Sequence, residues 1–186
     1  MSEELLKEKN FEDAIEQFLL TQGGYQKGDA GAFDRALAID KATLLSFIQS
    51  TQPKKWEKYL LVYGSEAEGA FIKRFDKEVS ARGLLDVLRK GFKDRGIEFR
   101  VCFFKPETSL NEDTLEQYDK NIFHCTRQVH YSLSSENSID IVLLLNGIPV
   151  VSMELKCQFT GQTAMNAINQ YKFDRASKDK IFEFRN

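Results

Sequence analysis

Apolar residues recur along this chain with two different periods. Phe11, Ile15, Phe18 and Leu19 fall at helical spacing and Gly23-Gly24 interrupts them, which predicts a helix over residues 10–21. Gly28 to Gly31 reads as a small-residue loop, and Leu37 to Gln49 as another short helix. Trp56 to Gly64 and Ala70 to Phe75 carry mixed signals and predict neither element. Lys77 to Arg95 reads as helix, with Leu84, Leu85, Val87, Leu88 and Phe92 on one side and Gly96 at its end. Ile97 to Lys105 (IEFRVCFFK) then alternates like a strand. Pro106 to Lys120 holds five acids against one lysine and reads as a solvated insertion.

From Asn121 the pattern becomes β-rich. Ile122 to Leu133 predicts one strand and SSENS (134–138) a polar turn. Ile139 to Leu145 is nearly continuous apolar β sequence, Asn146-Gly147 a turn, and Ile148 to Lys156 a second strand. Gly161 to Arg175 returns to helical spacing through Ala164, Ala167, Ile168 and Tyr171. Ile181 to Phe184 opens another β-like run, in which the chain ends. Strands interleaved with helices predict the α/β class, a central sheet flanked by helices. An ending inside an apolar run reads as a fragment, a single domain over 1–186 whose next domain is missing.

The two strands around Asn146-Gly147 bring charged residues together. Their odd positions (Ile139, Ile141, Leu143 and Leu145; Pro149, Val151, Met153 and Leu155) are all apolar or proline. Side chains alternate faces along a strand, so putting both rows on one face requires paired residue numbers with an even sum. A strict two-residue turn gives an odd sum, so the pattern calls for a three-residue loop or a bulge. In that register Asp140, Glu154 and Lys156 share the other face.

Composition narrows the functional classes. The 26 basic and 28 acidic residues exclude a bulk polycation, though not a local basic groove. No apolar run is long enough to span a membrane, and the charged N-terminus MSEELLKEKN is no signal peptide, so a cytoplasmic protein without membrane contact is expected. Three cysteines (Cys102, Cys125, Cys157) and two histidines (His124, His130) lack metal-ligand spacing and read as reduced thiols and isolated imidazoles.

Two carboxylates and a lysine on inner strands need a compensating cation. Mg²⁺ suits them, since it takes hard oxygen ligands from one or two carboxylates and completes its shell with water and phosphate. A lysine two residues beyond a metal-binding glutamate can orient or deprotonate a bound water and offset charge on a phosphodiester. This is apparatus for metal-dependent phosphodiester hydrolysis. The bland alternative is a surface ion pair among strand ends.

SIDIVLLLNGIPVVSMELKCQFTGQTAMNAINQYKFDR (138–175) resembles the PD-(D/E)xK nuclease core. More narrowly it resembles the N-terminal endonuclease domain of the motor and restriction subunit of type I restriction-modification enzymes. The likeness extends back through NIFHCTRQVHYS (121–132) to FEDAIEQFLLTQGGY (11–25) and forward into DRASKDKIFEF (174–184). It implies a restriction-endonuclease-like core, with Asp140 and Glu154 as Mg²⁺ ligands, the carbonyl of Leu155 as a further ligand and Lys156 as the catalytic lysine. Mn²⁺ would substitute for Mg²⁺. Gln170 would begin the family's QxxxY element, although Asp174 stands where its tyrosine is expected and Tyr171 sits beside the glutamine instead. Ile139 replaces the proline of the superfamily name. Glu12 is an accessory acid in the resemblance and, on the helical pattern, more simply a solvent-facing charge.

The family's activity would be cleavage of double-stranded DNA without sequence preference, in complex with modification and specificity subunits. ATP would be used only by motor domains beyond this chain, which has no GxxxxGK[ST] string. Phosphate contacts would come from Arg89, Lys90, Lys93, Arg95, Arg100 and Lys105, or from Lys172, Arg175, Lys178 and Lys180 beside the site. A repair or recombination nuclease of the same fold, or a silent DNA-binding or docking module, is the alternative.

Overall fold

Helix α1 (Glu3–Thr21) starts earlier than its apolar spacing predicts and stops before Gly24, whose φ of +73° leaves the helical region. The computed structural model describes residues 3–107, 112–156, 164–169 and 179–183. After α1 come β1 (Gln26–Lys27) and a small antiparallel pair, β2 (Phe33–Asp34) with β3 (Ile39–Asp40). The Asp40 carboxylate accepts the Thr43 N–H and caps α2 (Lys41–Thr51), so this helix begins later than predicted. The ambiguous Trp56 and Ala70 stretches are helical: α3 (Pro53–Tyr63) starts on a proline that needs no N–H there, and α4 spans Ala67–Arg82. The single helix predicted over 77–95 is instead split. Gly83, at φ +80°, separates α4 from α5 (Leu84–Lys90), and Phe92 belongs to the hairpin β4 (Phe92–Asp94) with β5 (Ile97–Phe99).

The predicted strand to Lys105 ends at Phe99, because the backbone of Arg100 is taken by a side chain. Gln52 accepts the Arg100 N–H at 2.9 Å and donates to its carbonyl at 2.7 Å, a mimic of a neighbouring strand. The acidic insertion contains a helix, α6 (Glu112–Asp119). Then come β6 (Phe123–His130), β7 (Ser138–Leu145) and β8 (Ile148–Met153), followed by α7 (Ala164–Asn169) and α8 (Lys180–Glu183). The β-like run at Ile181 is therefore helical. Lys180 fixes it by reaching Asp76 at 2.8 Å and Ser80 at 3.1 Å on α4.

The main sheet has the order β1-β6-β7-β8, with β1 parallel to β6 and the other neighbours antiparallel. It is a mixed sheet with helices packed around it, the architecture expected of the α/β class. β7 is one of its two inner strands, buried at Ile139 and from Ile141 to Leu144 with Asp140 half-buried, as a nearly continuous apolar run requires. Cys125, Ile141, Leu143 and Leu155 pack with Ile15 and Leu19 of α1, whereas Val142 and Leu144 pack with Phe33, Val129 and Ile181. A larger core of α2–α5 and the β4–β5 hairpin centres on Phe47, Tyr59, Phe71 and Phe99. Gly147 joins the two units. Its carbonyl accepts the Asp40 N–H at 2.8 Å, and its φ is +81°.

Candidate active site

The β7–β8 hairpin turns through Asn146 and Gly147, both at positive φ, as a two-residue primed turn demands. The pairs Leu145–Ile148 and Leu144–Pro149 have the odd sum of such a turn. A shift between Leu143 and Leu144 then restores the even register, Leu143–Val151 and Ile141–Met153. A bulge, not a longer loop, thus aligns the apolar rows: Ile141, Leu143, Met153 and Leu155 meet on the side of α1. One step past the last pair, Ile141–Met153, the chain reaches Asp140 on one strand and Glu154 just beyond the other, since β8 ends at Met153 rather than Lys156.

Asp140 contacts this segment directly. Its Oδ2 accepts the Leu155 N–H at 2.6 Å, so the first acid lies against the peptide between Glu154 and Leu155. The Glu154 side chain is 6% exposed, and Lys156 Nζ stands 3.9 Å from its Oε1 with 18% of the lysine side chain exposed. Two acids and an ammonium are gathered at the end of one hairpin, Glu154 and Lys156 largely withdrawn from water and Asp140 half-buried.

A second layer comes from α1 and β6. Glu12 and Glu16 are buried, each 8% exposed, against the expectation of a solvent-facing charge at Glu12. Arg127 explains their burial. Its guanidinium donates to Glu12 Oε2 at 2.7 and 3.1 Å and to Glu16 at 3.2 Å, and it also reaches Asp13. Burial opposes this charge, but the hydrogen bonds that Arg127 donates to Glu12, Asp13 and Glu16 outweigh it and hold the guanidinium's pKa above its ordinary value. Next to it Gln128, at φ +50°, breaks the alternation of β6. Its amide donates to Glu12 Oε1 at 3.1 Å and to Asp140 Oδ1 at 3.5 Å. Across from this break Ile139 packs with Val129, Val142 and Leu144 instead of with Ile141, so the strictly odd apolar row of β7 ends at Ile141.

Pattern reasoning missed Arg127, Gln128 and Glu16. Burial of an arginine in a strand leaves no periodic mark, although a lone arginine inside an apolar strand is itself a signal that buried acids lie nearby. Gln170, Tyr171, Lys172, Arg175, Lys178 and Cys157 lie outside the described residues. Lys180, read as a phosphate contact, is committed to Asp76, Glu183 and Ser80. In the first basic run, Arg100 donates to the Arg89 carbonyl at 2.7 Å and Lys90 pairs with Asp86 at 2.5 Å, while Lys93 and Lys105 are exposed. Cys102 and Cys125 are buried free thiols, and burial raises the pKa of Cys102 to about 11.

Among the described residues no three His, Cys, Asp or Glu side chains cluster as a metal site. The oxygen groups gathered at the hairpin end are the Asp140 and Glu154 carboxylates. Such a hard, incomplete set fits Mg²⁺, which keeps several waters, and does not fit Zn²⁺.

A model of the family described as the type I restriction enzyme R protein N terminus matches residues 6–185. No curated protein and no solved structure matches the chain. No described helix is long and apolar enough to cross a membrane.

Proposed function

We propose, for a chain that belongs to the family of the type I restriction enzyme R protein N terminus, that it is the Mg²⁺-dependent nuclease domain that cuts double-stranded DNA without sequence preference. What supports the reading is the Asp140 carboxylate bonded to the Leu155 N–H, with Glu154 and Lys156 on either side. DNA would be delivered in a complex with modification and specificity subunits and with ATP-driven motor domains beyond this chain.

Asp140, Glu154 and the Leu155 carbonyl would hold the ion. When bound, Mg²⁺ lowers the pKa of a coordinated water and offsets charge on a phosphoryl oxygen. The protein's own part is preorganisation. The Leu155 N–H fixes Asp140 Oδ2, which keeps this carboxylate in one orientation before substrate arrives. Lys156 donates hydrogen bonds from Nζ, where it can orient the attacking water and balance negative charge as the phosphodiester becomes pentacoordinate. Its long 3.9 Å separation from Glu154 leaves the ammonium hydrogens available for that task. The mostly buried Glu154 would sit in a medium where each of these charges acts strongly.

Cleavage of duplex DNA by the complete restriction complex with ATP tests the reading. Lys156→Ala, Glu154→Ala and Asp140→Ala should each lower cleavage by roughly 100- to 1,000-fold or more, while ATP hydrolysis continues. EDTA should stop cutting by the wild type. Cleavage by any of the three variants at the wild-type rate would refute the assignment.

A further inference from the structure

We propose that Gln128 is a positioning residue for Asp140, and that Glu12 acts on the site through Gln128 instead of coordinating the metal. The inference rests on the nuclease reading above. It starts from a backbone anomaly: Gln128 is a non-glycine residue at φ +50° inside a strand, a conformation that L side chains rarely adopt. Its neighbours pair as Arg127 with Ile141 and Val129 with Ile139, so Gln128 faces Asp140 across the ladder. An outlier opposite a proposed metal ligand is where a functional constraint is expected.

The amide's orientation follows from its contacts. Ser138 Oγ donates to Gln128 Oε1 at 2.9 Å, so the NH₂ end turns toward the carboxylates. It donates to Glu12 Oε1 at 3.1 Å and reaches Asp140 Oδ1 at 3.5 Å. One neutral donor thereby separates and links two anions. Glu12 accepts on both oxygens, twice at Oε2 from Arg127 and once at Oε1 from Gln128 at 3.1 Å. Asp140 differs. Its Oδ2 is taken by the Leu155 N–H, whereas the contact at Oδ1 is long and leaves a lone pair for a cation. The chain of bonds thus runs from Arg127 through Glu12 and Gln128 to Asp140, the layout by which outer groups orient a metal ligand.

The test measures Mn²⁺ binding to the 186-residue chain by calorimetry and by the loss of the free-ion spin-resonance signal, with melting temperatures alongside. The wild type should bind and Asp140→Asn should lose binding. Gln128→Leu should weaken Mn²⁺ by roughly 10- to 100-fold. Ser138→Ala, which removes the hydrogen bond that orients the amide, should weaken it less, and it replaces Gln128→Leu if that variant does not fold. Glu12→Gln keeps an acceptor for Gln128 and should change affinity less than Gln128→Leu. The double variant should match Gln128→Leu alone, because without the Gln128 amide Glu12 has no route to Asp140. A folded Gln128→Leu with wild-type affinity, or a Glu12→Gln as weak as Asp140→Asn, overturns the inference while leaving the nuclease reading intact. If Asp140→Asn binds Mn²⁺ like the wild type, or the wild type binds none, the nuclease reading fails and the inference falls with it.

Discussion

Replacing Arg127 by methionine keeps much of the side chain's length and apolar stem and removes only the fork. Three carboxylates then lose their cation, but they do not lose it equally. The Asp13 side chain is 50% exposed and water solvates it, so its share is about 0–1 kcal/mol. Glu12 and Glu16 are 10% and 11% exposed at the side chain, and they become buried anions, Glu12 left with only the neutral Gln128 amide and Glu16 with only the distant Lys27 ammonium at 3.8 Å. Breaking a buried pair in this way costs about 3–5 kcal/mol. In a chain of this size each kcal/mol moves the melting temperature by about 2–4 °C, so Arg127→Met should melt roughly 6–20 °C lower at pH 7. The penalty is one of stranded negative charge. Combining Arg127→Met with Glu12→Gln and Glu16→Gln should recover most of the loss, since neutral amides carry no such penalty. Circular dichroism melts and urea titrations at pH 7 measure both the loss and its recovery. If Arg127→Met lies within about 1 kcal/mol of the wild type at pH 7, the buried network does not stabilise α1 against the sheet and the reasoning fails.

Two further outcomes concern the frame around the site. Gly147→Ala should destabilise by about 2–5 kcal/mol in a urea titration: a Cβ would meet the Asp40 carbonyl oxygen at 2.3 Å, and the φ of +81° adds strain for any L side chain. Burial acts to raise the Asp94 pKa, but hydrogen bonds from Tyr59 at 2.7 Å and Tyr63 at 2.8 Å hold it below the ordinary 3.8, so Asp94 stabilises the fold above that pH and the contribution is lost as the pH falls through its lower folded value. Tyr59→Phe should remove about 1.5–3 kcal/mol at pH 7 and less once the pH has fallen through the lowered folded value of Asp94, as read from acid-unfolding curves.

How much of this was legible in the sequence depended on how far apart the cooperating residues lie. The β7–β8 hairpin was legible because its two strands and turn are local and its apolar rows must coincide. Even the bulge followed from parity, as one of two ways to reach an even register. Elements stabilised by distant side chains were not. IEFRVCFFK alternates as a strand should, yet Gln52 claims the backbone of Arg100 and Asn121 that of Phe103, donating to its carbonyl at 2.7 Å. Side-chain amides can satisfy a backbone as well as a neighbouring strand does, and periodicity cannot tell the two apart. Ile181 and Phe182 read as strand for a similar reason: the lysine that fixes them as a helix finds its partners about 100 residues earlier.

The site shows the same divide. Asp140, Glu154 and Lys156 could be grouped from the pattern because one hairpin carries them. Glu12 could not, since on a helical wheel a charge among polar neighbours belongs in water. Its burial depends on Arg127, 115 residues away, and an arginine in a β-run signals buried acids without saying which. Gln128 was harder still. Its role depends on a backbone conformation that its identity does not encode, and glutamine is a poor choice for positive φ on steric grounds. That choice itself needs a cause. A glycine would relieve the backbone but supply no donor, and an asparagine would tolerate the conformation with a shorter reach. Glutamine provides a donor long enough to touch both Glu12 and Asp140, so the strain and the contact are consistent with one requirement: a neutral bridge between two carboxylates that would otherwise repel.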